Sequence, residues 1–188
     1  MRRFAAIQIL LCICVLFTAC GTESQTLSPA IEFRAALVRA GGCTFRAEVR
    51  ADFGETVASF CMDCDADADS ILRLTLTEPE TLAGITATVT DAGGKITYDG
   101  MALDFGLMAG GNVIPAAAPA LAVDCWIREY IASAGQEEER YRVTYEKDFD
   151  EKKLVVDTWY ENGVPICAEV CYNDQRILKL LISDFTLK

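Results

Sequence analysis

The sequence predicts a mainly β fold of the α+β class, in which an antiparallel sheet of about ten strands is accompanied by two helices. Three observations lead to this prediction. Apolar and polar residues alternate with a period of two over most of the chain, tight-turn signals separate the alternating segments, and two stretches repeat at helical spacing. With 188 residues, of which 52% are hydrophobic, the chain is long enough for one domain with a sizeable core.

The first helical stretch follows Ser28, a residue type that caps helix N-termini, and Pro29, which is favoured in a first turn. Apolar residues then recur near helical spacing until Gly41 and Gly42 stop the pattern; they are Ala30, Phe33, Leu37 and Ala40. The sequence therefore predicts a short amphipathic helix that covers one end of the sheet, and a single folded domain over residues 28–188.

Ten segments have the alternation or composition of strands, and turn signals lie between several of them. Asp99-Gly100 and Asn162-Gly163 are typical of two-residue hairpins, and Asn173-Asp174 and the glycines at 93 and 94 also indicate turns. Most of these segments place apolar residues on one face and polar residues on the other, as in a half-buried antiparallel strand. The predicted strands are "CTFRAEVR", "ETVASFCM", "ILRLTLT", "GITATVT", "KITYDG", "MALDF", "YRVTYEKD", "KLVVDTWYE", "VPICAEVCY" and "RILKLLISDFTL".

The second helical stretch follows the loop "GLMAGGNVIPAAAPA". Its apolar residues recur at i, i+3, i+4, i+7, i+8 and i+11, whereas Asp124, Arg128 and Glu129 face away. This pattern predicts an inserted amphipathic helix whose apolar stripe faces either the core or a ligand. The stripe consists of Val123, Trp126, Ile127, Tyr130, Ile131 and Ala134.

The amino terminus has the pattern of an export signal. Two arginines precede an apolar run from Phe4 to Phe17, which has the length of a signal-peptide core rather than of a bilayer span. The run ends in Phe17-Thr18-Ala19-Cys20, which resembles the lipobox of bacterial lipoproteins, where the cysteine receives a diacylglycerol and becomes the new amino terminus. We therefore expect a lipoprotein signal peptide over residues 1–19, lipid attachment at Cys20, and a flexible tether over residues 20–27.

Charge and composition exclude several classes of function. Removal of residues 1–19 takes away two of the 17 basic residues and leaves 15 against 28 acidic ones, a net charge of −13. Such a surface repels phosphate backbones and anionic bilayers, so no nucleic-acid partner is expected, and any membrane attachment must come from a lipid or an inserted segment rather than from a basic patch. The chain has no histidine, which rules out Ser-His-Asp triads and Cys-His dyads. Because no nucleophile motif and no convergent carboxylate pair are visible, we predict no enzyme activity, no catalytic residue and no cofactor.

Six cysteines follow Cys20, and three explanations for them stay open. Cys61 and Cys64 have metal-ligand spacing, and Cys167 with Cys171 could supply two further thiolates for zinc. Export permits disulfides, so cross-strand disulfides or free core thiols are favoured over zinc, and no metal ligand is predicted. The alternating aspartates of "DCDADADS" fail the calcium-loop pattern, which requires glycine at the sixth position, and indicate a solvated hairpin tip instead. The six cysteines are Cys43, Cys61, Cys64, Cys125, Cys167 and Cys171.

The order of the elements, together with one stretch, resembles a known family. A helix leads into strands, "LTLTEPETLAGITATVTDAGGKITYDGMALDF" follows with Pro79, Gly84 and Tyr98-Asp99-Gly100 at its turns, and a helical segment precedes a final meander. In these features most of residues 28–188 are similar to the LolA/LolB-like family of lipoproteins and lipoprotein carriers, and closest to LolA-like lipoproteins of Gram-positive, spore-forming anaerobes. The resemblance implies a strongly curved sheet that forms an incomplete barrel with helices over its open face. It also implies a hydrophobic cavity, which holds acyl chains in the carriers, and it transfers no catalytic residue.

Two functions are expected from these features. The first is a lipoprotein anchored to the extracytoplasmic face of the cell membrane that binds a lipid or another hydrophobic ligand in the half-barrel cavity; the sequence assigns no residue to that ligand. The second is a cell-surface scaffold that holds or activates an exported protein partner and has no ligand cavity.

Overall fold

The computed structural model describes residues 22–52, 57–109, 112–149, 152–172 and 175–188. The predicted signal peptide, Cys20 and the turn at Asn173-Asp174 lie outside these ranges. No helix within the described ranges combines the length and apolar character needed to cross a bilayer. The helices are α1 (Thr22–Arg39) and α2 (Ala118–Ile127), and the strands are β1 (Gly42–Asp52), β2 (Val57–Asp67), β3 (Leu72–Glu78), β4 (Thr86–Thr90), β5 (Gly93–Tyr98), β6 (Met101–Phe105), β7 (Met108–Ala109), β8 (Asn112–Val113), β9 (Tyr130–Glu137), β10 (Arg140–Phe149), β11 (Lys152–Glu161), β12 (Val164–Tyr172) and β13 (Gln175–Leu187).

Eleven of the described strands form one antiparallel sheet, in the order β6-β5-β4-β3-β2-β1-β13-β12-β11-β10-β9. Strands β6 and β9 are its two edges, so the described part of the sheet does not close into a barrel. Five of the strand pairings contain a register shift, where an extra residue bends one strand and increases its twist. The predicted mainly β fold with an open antiparallel sheet is thus confirmed, and its strand count is slightly higher than expected.

Alternation along the strands places the core on the face of the sheet that meets the helices. In β1 the residues of that face are all buried, as the period of two predicts; they are Cys43, Phe45, Ala47, Val49 and Ala51. The two hairpin signals also act as predicted. Asp99 and Gly100 have φ values of +47° and +77°, and Asn162 and Gly163 have +52° and +79°, the left-handed backbone that a tight two-residue turn requires.

The second helix is shorter than the sequence pattern predicted. α2 ends at Ile127, and Tyr130, Ile131 and Ala134, which we expected on its apolar stripe, lie on β9 instead. Strand β9 pairs with β10, with Ala134 opposite Val143. Tyr and Ile favour strands over helices, and the pairing satisfies backbone groups of β10 that would otherwise lie at the sheet edge. The extra strand of the sheet arises from this segment.

The first helix is longer than predicted. α1 begins at Thr22 rather than near Ser28, so Pro29 lies inside the helix and residues 22–27, expected to be part of a flexible tether, are helical. A proline inside a helix lacks the N–H that would bond to the carbonyl four residues earlier. The hydroxyl of Tyr141 on β10 donates a hydrogen bond to the Thr26 carbonyl oxygen close to this point. A contact with the sheet therefore supports a helical turn that the local sequence does not favour.

Helix α2 lies inside the curved sheet, and all ten of its residues are buried, Asp124 among them. The sequence predicted an amphipathic helix with one exposed face covering the open side of the sheet. The structure differs because α1 packs over α2 and covers the side that would face solvent. Helix α2 therefore fills the interior of the incomplete barrel.

Arg34 of α1 holds the C-terminal end of α2. Its Nε donates to the Trp126 carbonyl oxygen at 2.8 Å, and its Nη2 donates to the carbonyl oxygens of Cys125 and Glu129 at 3.0 and 2.7 Å. The last carbonyl groups of a helix have no partner within the helix, and a cation beside them also interacts favourably with the helix dipole. Arg34 thus satisfies acceptors that this packing removes from water.

Lys147 of β10 neutralises the acidic side chains at the same end of α2. Its Nζ bonds to the Asp124 carboxylate and, at 2.7 Å, to Glu129 Oε1. The side chains of Lys147 and Asp124 are only 14% and 7% exposed. Burial by itself would lower the pKa of Lys147, but the two carboxylates outweigh that effect and raise it. The ion pair is therefore maintained at neutral pH.

We predict that Arg34→Ala lowers the free energy of unfolding by about 3 kcal/mol, because the substitution leaves buried carbonyl groups without a donor. Urea denaturation followed by tryptophan fluorescence measures this change. Arg39→Ala is the matched control, since among the described residues Arg39 bonds only to the exposed carbonyl of Ala35 in the same helix and its loss should cost less than about 0.5 kcal/mol. Equal losses for the two variants would contradict the role given to Arg34.

Candidate functional site

Aromatic side chains fill the middle of the barrel between the sheet and the two helices. The ring of Phe33 on α1 lies 4.9 Å from that of Tyr160 and 6.0 Å from that of Trp126, measured between ring centroids. Phe45 of β1 and Phe185 of β13 lie 5.9 and 6.2 Å from Trp126. Separations of roughly 4.5 to 7 Å are typical of packed aromatic pairs. These five rings therefore form a core rather than the wall of a large ligand site.

Trp126 belongs to this core. Its side chain is fully buried, and its Nε1–H donates a hydrogen bond at 3.0 Å to Oγ1 of Thr158, which is also fully buried. A buried indole N–H requires such an acceptor, and the bond fixes the orientation of the ring. The sequence left open whether the apolar stripe of this helix faces the core or a ligand, and the structure places Trp126 in the core.

A cavity of about 230 Å³ remains at one end of the barrel, beneath the middle of α1. Ala30 and Phe33 of α1 line it from above, and Tyr141 and Tyr160, which are directly paired on β10 and β11, line it from below. Ala30, Phe33 and Tyr160 are buried, so the inner end of the cavity is closed. The remaining lining residues surround its opening; they are Pro29, Gln136, Glu139, Glu161, Asn162 and Gly163.

The two tyrosines give the cavity an apolar interior, because their hydroxyl groups bond elsewhere. The hydroxyl of Tyr160 shares a hydrogen bond of 2.8 Å with that of Tyr145, and the hydroxyl of Tyr141 donates to the Thr26 carbonyl oxygen. Burial raises the pKa of Tyr141 and of Tyr160. Both side chains are therefore neutral at physiological pH and present their rings to the cavity.

The opening of the cavity is polar and acidic. Glu139 and Glu161 lie on it together with the amides of Gln136 and Asn162, and all four residues are exposed. None of the described residues that line the cavity is a lysine or an arginine. A bound carboxylate or phosphate would thus meet two negative charges without a cation to pair with. The arrangement favours a ligand that places an apolar group in the cavity and a neutral or positively charged polar end at the opening.

A second, open groove of about 710 Å³ crosses β1 to β4 on the face of the sheet turned away from the helices. Arg46 and Arg73 lie in it, and exposed ion pairs hold them at 3.5 Å from Glu78 and 3.7 Å from Asp67. Threonine and aspartate side chains make up much of its remaining surface. Such a surface is open and well solvated.

The six cysteines of the domain are free thiols in the structure, one of the two outcomes favoured from the sequence. Cys64 is buried on the core face of β2, whereas Cys61 lies on the opposite face, because residues three apart on a strand point to opposite sides. Cys61 and Cys64 therefore cannot share an ion despite their spacing. Within the described residues, no group of three or more cysteine or acidic side chains is placed to hold a metal ion.

Of the aspartates of "DCDADADS", Asp67 and Asp69 lie at the β2–β3 turn, as the sequence predicted, whereas Asp63 and Asp65 lie within β2 and pair with β1 and β3. Asp67 Oδ1 accepts hydrogen bonds from the backbone N–H groups of Asp69 and Ile71, at 3.1 and 3.0 Å. Its role is therefore to stabilise the turn. The predicted lipid-attachment residue, Cys20, lies outside the described residues.

None of the residues that line the cavity was identified from the sequence. Strand register could have found part of the site, since Tyr160 lies at the end of β11, two residues before the Asn162-Gly163 turn, and Tyr141 lies at the start of β10, which pairs with β11. The other wall could not be inferred, because Ala30 and Phe33 reach the tyrosines only through the packing of α1 on a distant part of the chain.

A scan against protein-family models and a search of curated proteins both give no match. Among solved structures, the fold is similar to that of a DUF1329 family protein from Desulfovibrio piger, with 7% identity, coverage of 88% of this chain and 93% of that chain, and a TM-score of 0.52. A LolA superfamily protein from Nitrosomonas europaea follows with 11% identity, coverage of 87% and 93%, and a TM-score of 0.47. The lipoprotein LppX of Mycobacterium tuberculosis has 9% identity, coverage of 87% and 97%, and a TM-score of 0.38. At identities this low, similarity to a solved structure concerns the fold alone. Of these three structures, the Desulfovibrio protein is the one whose TM-score supports a similar fold.

We predict that alkylation of the folded protein by iodoacetamide at pH 8 modifies the half-buried Cys61 and Cys171 well before Cys43, Cys64 and Cys125. Burial raises the pKa of Cys43 to about 12 and also raises that of Cys64 and Cys125, so little thiolate is present at these sites and the reagent cannot reach them. The pKa of Cys61 and of Cys171 is raised as well, but these two side chains are partly exposed to the reagent. For Cys43 the rate should rise about tenfold per pH unit between pH 8 and 10, since the thiolate fraction does so below the pKa. Peptide mass spectrometry measures each site, with urea-unfolded protein as the control. Equal labelling of Cys125 and Cys61 in the folded protein would contradict the burial described.

Proposed function

We propose that the protein is a lipoprotein anchored to the extracytoplasmic face of the cell membrane, where it binds one small hydrophobic group in the cavity beneath α1. The observation that carries the proposal is the cavity itself. It has an interior of aromatic and aliphatic side chains, a closed inner end and an opening to solvent. Concave sites with mostly apolar walls and a few polar groups at the mouth are the usual form of small-molecule sites.

The anchor is inferred from the sequence. The positively charged start, the apolar run and the small residues before Cys20 have the order of a lipoprotein signal peptide. Each methylene of an acyl chain buried in a bilayer contributes about 0.8 kcal/mol, so two or three chains on one cysteine hold a protein at a membrane almost permanently. The net charge of −13 on the remainder gives no electrostatic attraction to anionic lipids, so the attachment depends on these chains.

The size of the cavity limits the ligand. Sites for drug-sized ligands have volumes of roughly 300 to 1,000 Å³, whereas this cavity has about 230 Å³ because α2 and the aromatic core occupy the rest of the barrel interior. One short acyl chain or a single ring system fits such a space, and a lipid with several chains does not. The acidic opening further favours a neutral or cationic polar end over a fatty-acid carboxylate.

One observation favours the alternative function, a scaffold for an exported protein. Edge strand β6 has no neighbour on its outer side within the described residues, and Met101 and Leu103 on it are 68% and 67% exposed. An edge of this kind can accept a further strand from a partner, with apolar residues at alternate positions covering the exposed side chains. The other edge, β9, packs against α1.

We predict that the protein increases the fluorescence of prodan, a neutral dye with a single naphthalene ring system, and that Ala30→Trp weakens dye binding at least tenfold by filling the cavity. Ile31→Trp is the matched control. It adds the same indole to the exposed side of the same helix and should leave binding unchanged. Circular dichroism and urea midpoints establish that both variants fold. Equal binding by Ala30→Trp and the wild type would place the dye elsewhere, and no binding by the wild type would favour the scaffold.

We also predict that metabolic labelling with an alkyne analogue of palmitate modifies the full-length protein and that Cys20→Ala abolishes the label. Cys12→Ala should keep it, since residue 12 lies within the apolar run of the predicted signal peptide. In-gel detection of the alkyne measures the modification, and the Cys20 variant should also accumulate at precursor size. Unchanged labelling of Cys20→Ala would contradict lipid attachment at this residue.

A further inference from the structure

Helix α1 has a second apolar stripe that the fold does not bury. Ile31 and Val38 are 55% and 46% exposed, Ala35 is exposed and Leu27 is half-buried. At about 100° per residue, these four positions lie within an arc of about 80° on the helix surface. The stripe is separate from the one formed by Ala30, Phe33 and Leu37, which packs into the core. An exposed stripe along a helix that already has a buried face indicates a second surface of contact.

The start of α1 lies very close to the proposed anchor. Only Gly21 separates Cys20 from Thr22, the first residue of the helix. A chain spans at most about 3.6 Å per residue, so the Cα atom of Thr22 lies within about 7 Å of that of Cys20. The polar headgroup layer on each side of a bilayer is about 5 to 8 Å thick. With acyl chains on Cys20 inserted in the bilayer, the N-terminus of α1 must lie at the level of the headgroups.

The charge of α1 fits this position. The helix contains two acidic residues, Glu23 and Glu32, and two basic residues, Arg34 and Arg39, and its net charge is zero. The chain from Cys20 to the C-terminus has a net charge of −13, so the other elements carry essentially all of its negative charge. An anionic membrane surface would repel those elements and would not repel α1.

We propose that α1 lies along the membrane surface that holds the anchor, with Leu27, Ile31, Ala35 and Val38 inserted among the lipid headgroups. This inference deepens the proposed function and uses its lipid anchor on Cys20. A helix standing upright would bury only its first turn, whereas a helix lying flat buries the whole stripe. The stripe by itself supplies weak binding, but the anchor keeps the helix at the bilayer and makes docking an intramolecular event.

The orientation has a consequence for the cavity. Pro29 and Ala30 of α1 line it, and the exposed Pro29 belongs to its opening. At about 100° per residue, Pro29 lies about 160° around the helix from the centre of the stripe. With the stripe at the membrane surface, the opening of the cavity therefore faces away from the bilayer, and a ligand enters it from the aqueous side.

Site-specific photocrosslinking in the full-length, membrane-bound protein tests the proposal. A benzophenone amino acid is introduced at position 31 or 38 and, as a control, at position 101 on the opposite edge of the sheet, where the native side chain is at least as exposed. After irradiation of membranes, mass spectrometry of the crosslinked peptides identifies phospholipid adducts. We expect adducts at positions 31 and 38 at least tenfold more often than at position 101.

A second experiment adds two negative charges to the stripe. With the photocrosslinker at the exposed position 35, the double variant Ile31→Asp/Val38→Asp should reduce phospholipid adducts at least fivefold, because it places two carboxylates in the stripe. The matched control, Val57→Asp/Met101→Asp, adds the same charges at two other exposed apolar positions and should leave the adducts unchanged. Urea midpoints of both double variants exclude unfolding as the cause.

Palmitate-analogue labelling of Cys20 is measured in the same cells. Together with the adducts, it distinguishes failure of the α1 docking from failure of the proposed anchor. Adducts at positions 31 and 38 support the docking of α1 whether or not Cys20 is labelled. Labelled Cys20 without such adducts overturns the docking and leaves the anchor intact. Absence of both the label and the adducts overturns both. Crosslinks from positions 31 and 38 to a protein in place of lipid also overturn the docking, since the stripe would then be covered by a partner.

Discussion

Arg34 binds three backbone carbonyl oxygens at the end of α2, and the filling of the barrel depends on that contact. A helix composed almost entirely of apolar residues gains free energy from burial, but its terminal carbonyl groups lose water at the same time. The guanidinium group supplies donors in a fixed planar array, which suits several acceptors at once. Lys147 does the same for the acidic side chains nearby. The two cations allow a helix with polar ends to lie where solvent cannot reach it.

The packing of α2 determines the space that remains. Because Trp126, Phe33 and Phe45 occupy the centre of the barrel, unfilled volume is displaced to the end where Tyr141 and Tyr160 meet the middle of α1. Helix α1 therefore has two roles in the fold. One side of it completes the core and closes the cavity, while the opposite side stays exposed. The space that this sheet leaves for a ligand thus depends on how deeply the inserted helix is buried.

Much of the fold could be predicted from the sequence because strands and tight turns are encoded locally. Alternation in β1 and the glycine-containing turns at residues 99–100 and 162–163 gave the correct faces and hairpins. The end of α2 was predicted wrongly, since Tyr130 and Ile131 fit a helical spacing as well as a strand and only pairing with β10 decides between them. The start of α1 depends in the same way on Tyr141. The cavity joins residues far apart in the sequence, so local patterns identified neither its walls nor its volume.

The free thiols of this domain bear on where it can be made and used. Small secreted domains commonly depend on disulfides because their cores are too small to hold the fold, whereas a chain of about 150 residues buries roughly 70% of its unfolded surface. Four of the six described cysteines pack as small buried side chains, and none of the six is joined to another. Folding in this form needs neither an oxidant nor an isomerase. The domain can therefore reach its native state in a habitat without oxygen, and a reducing exterior does not weaken it.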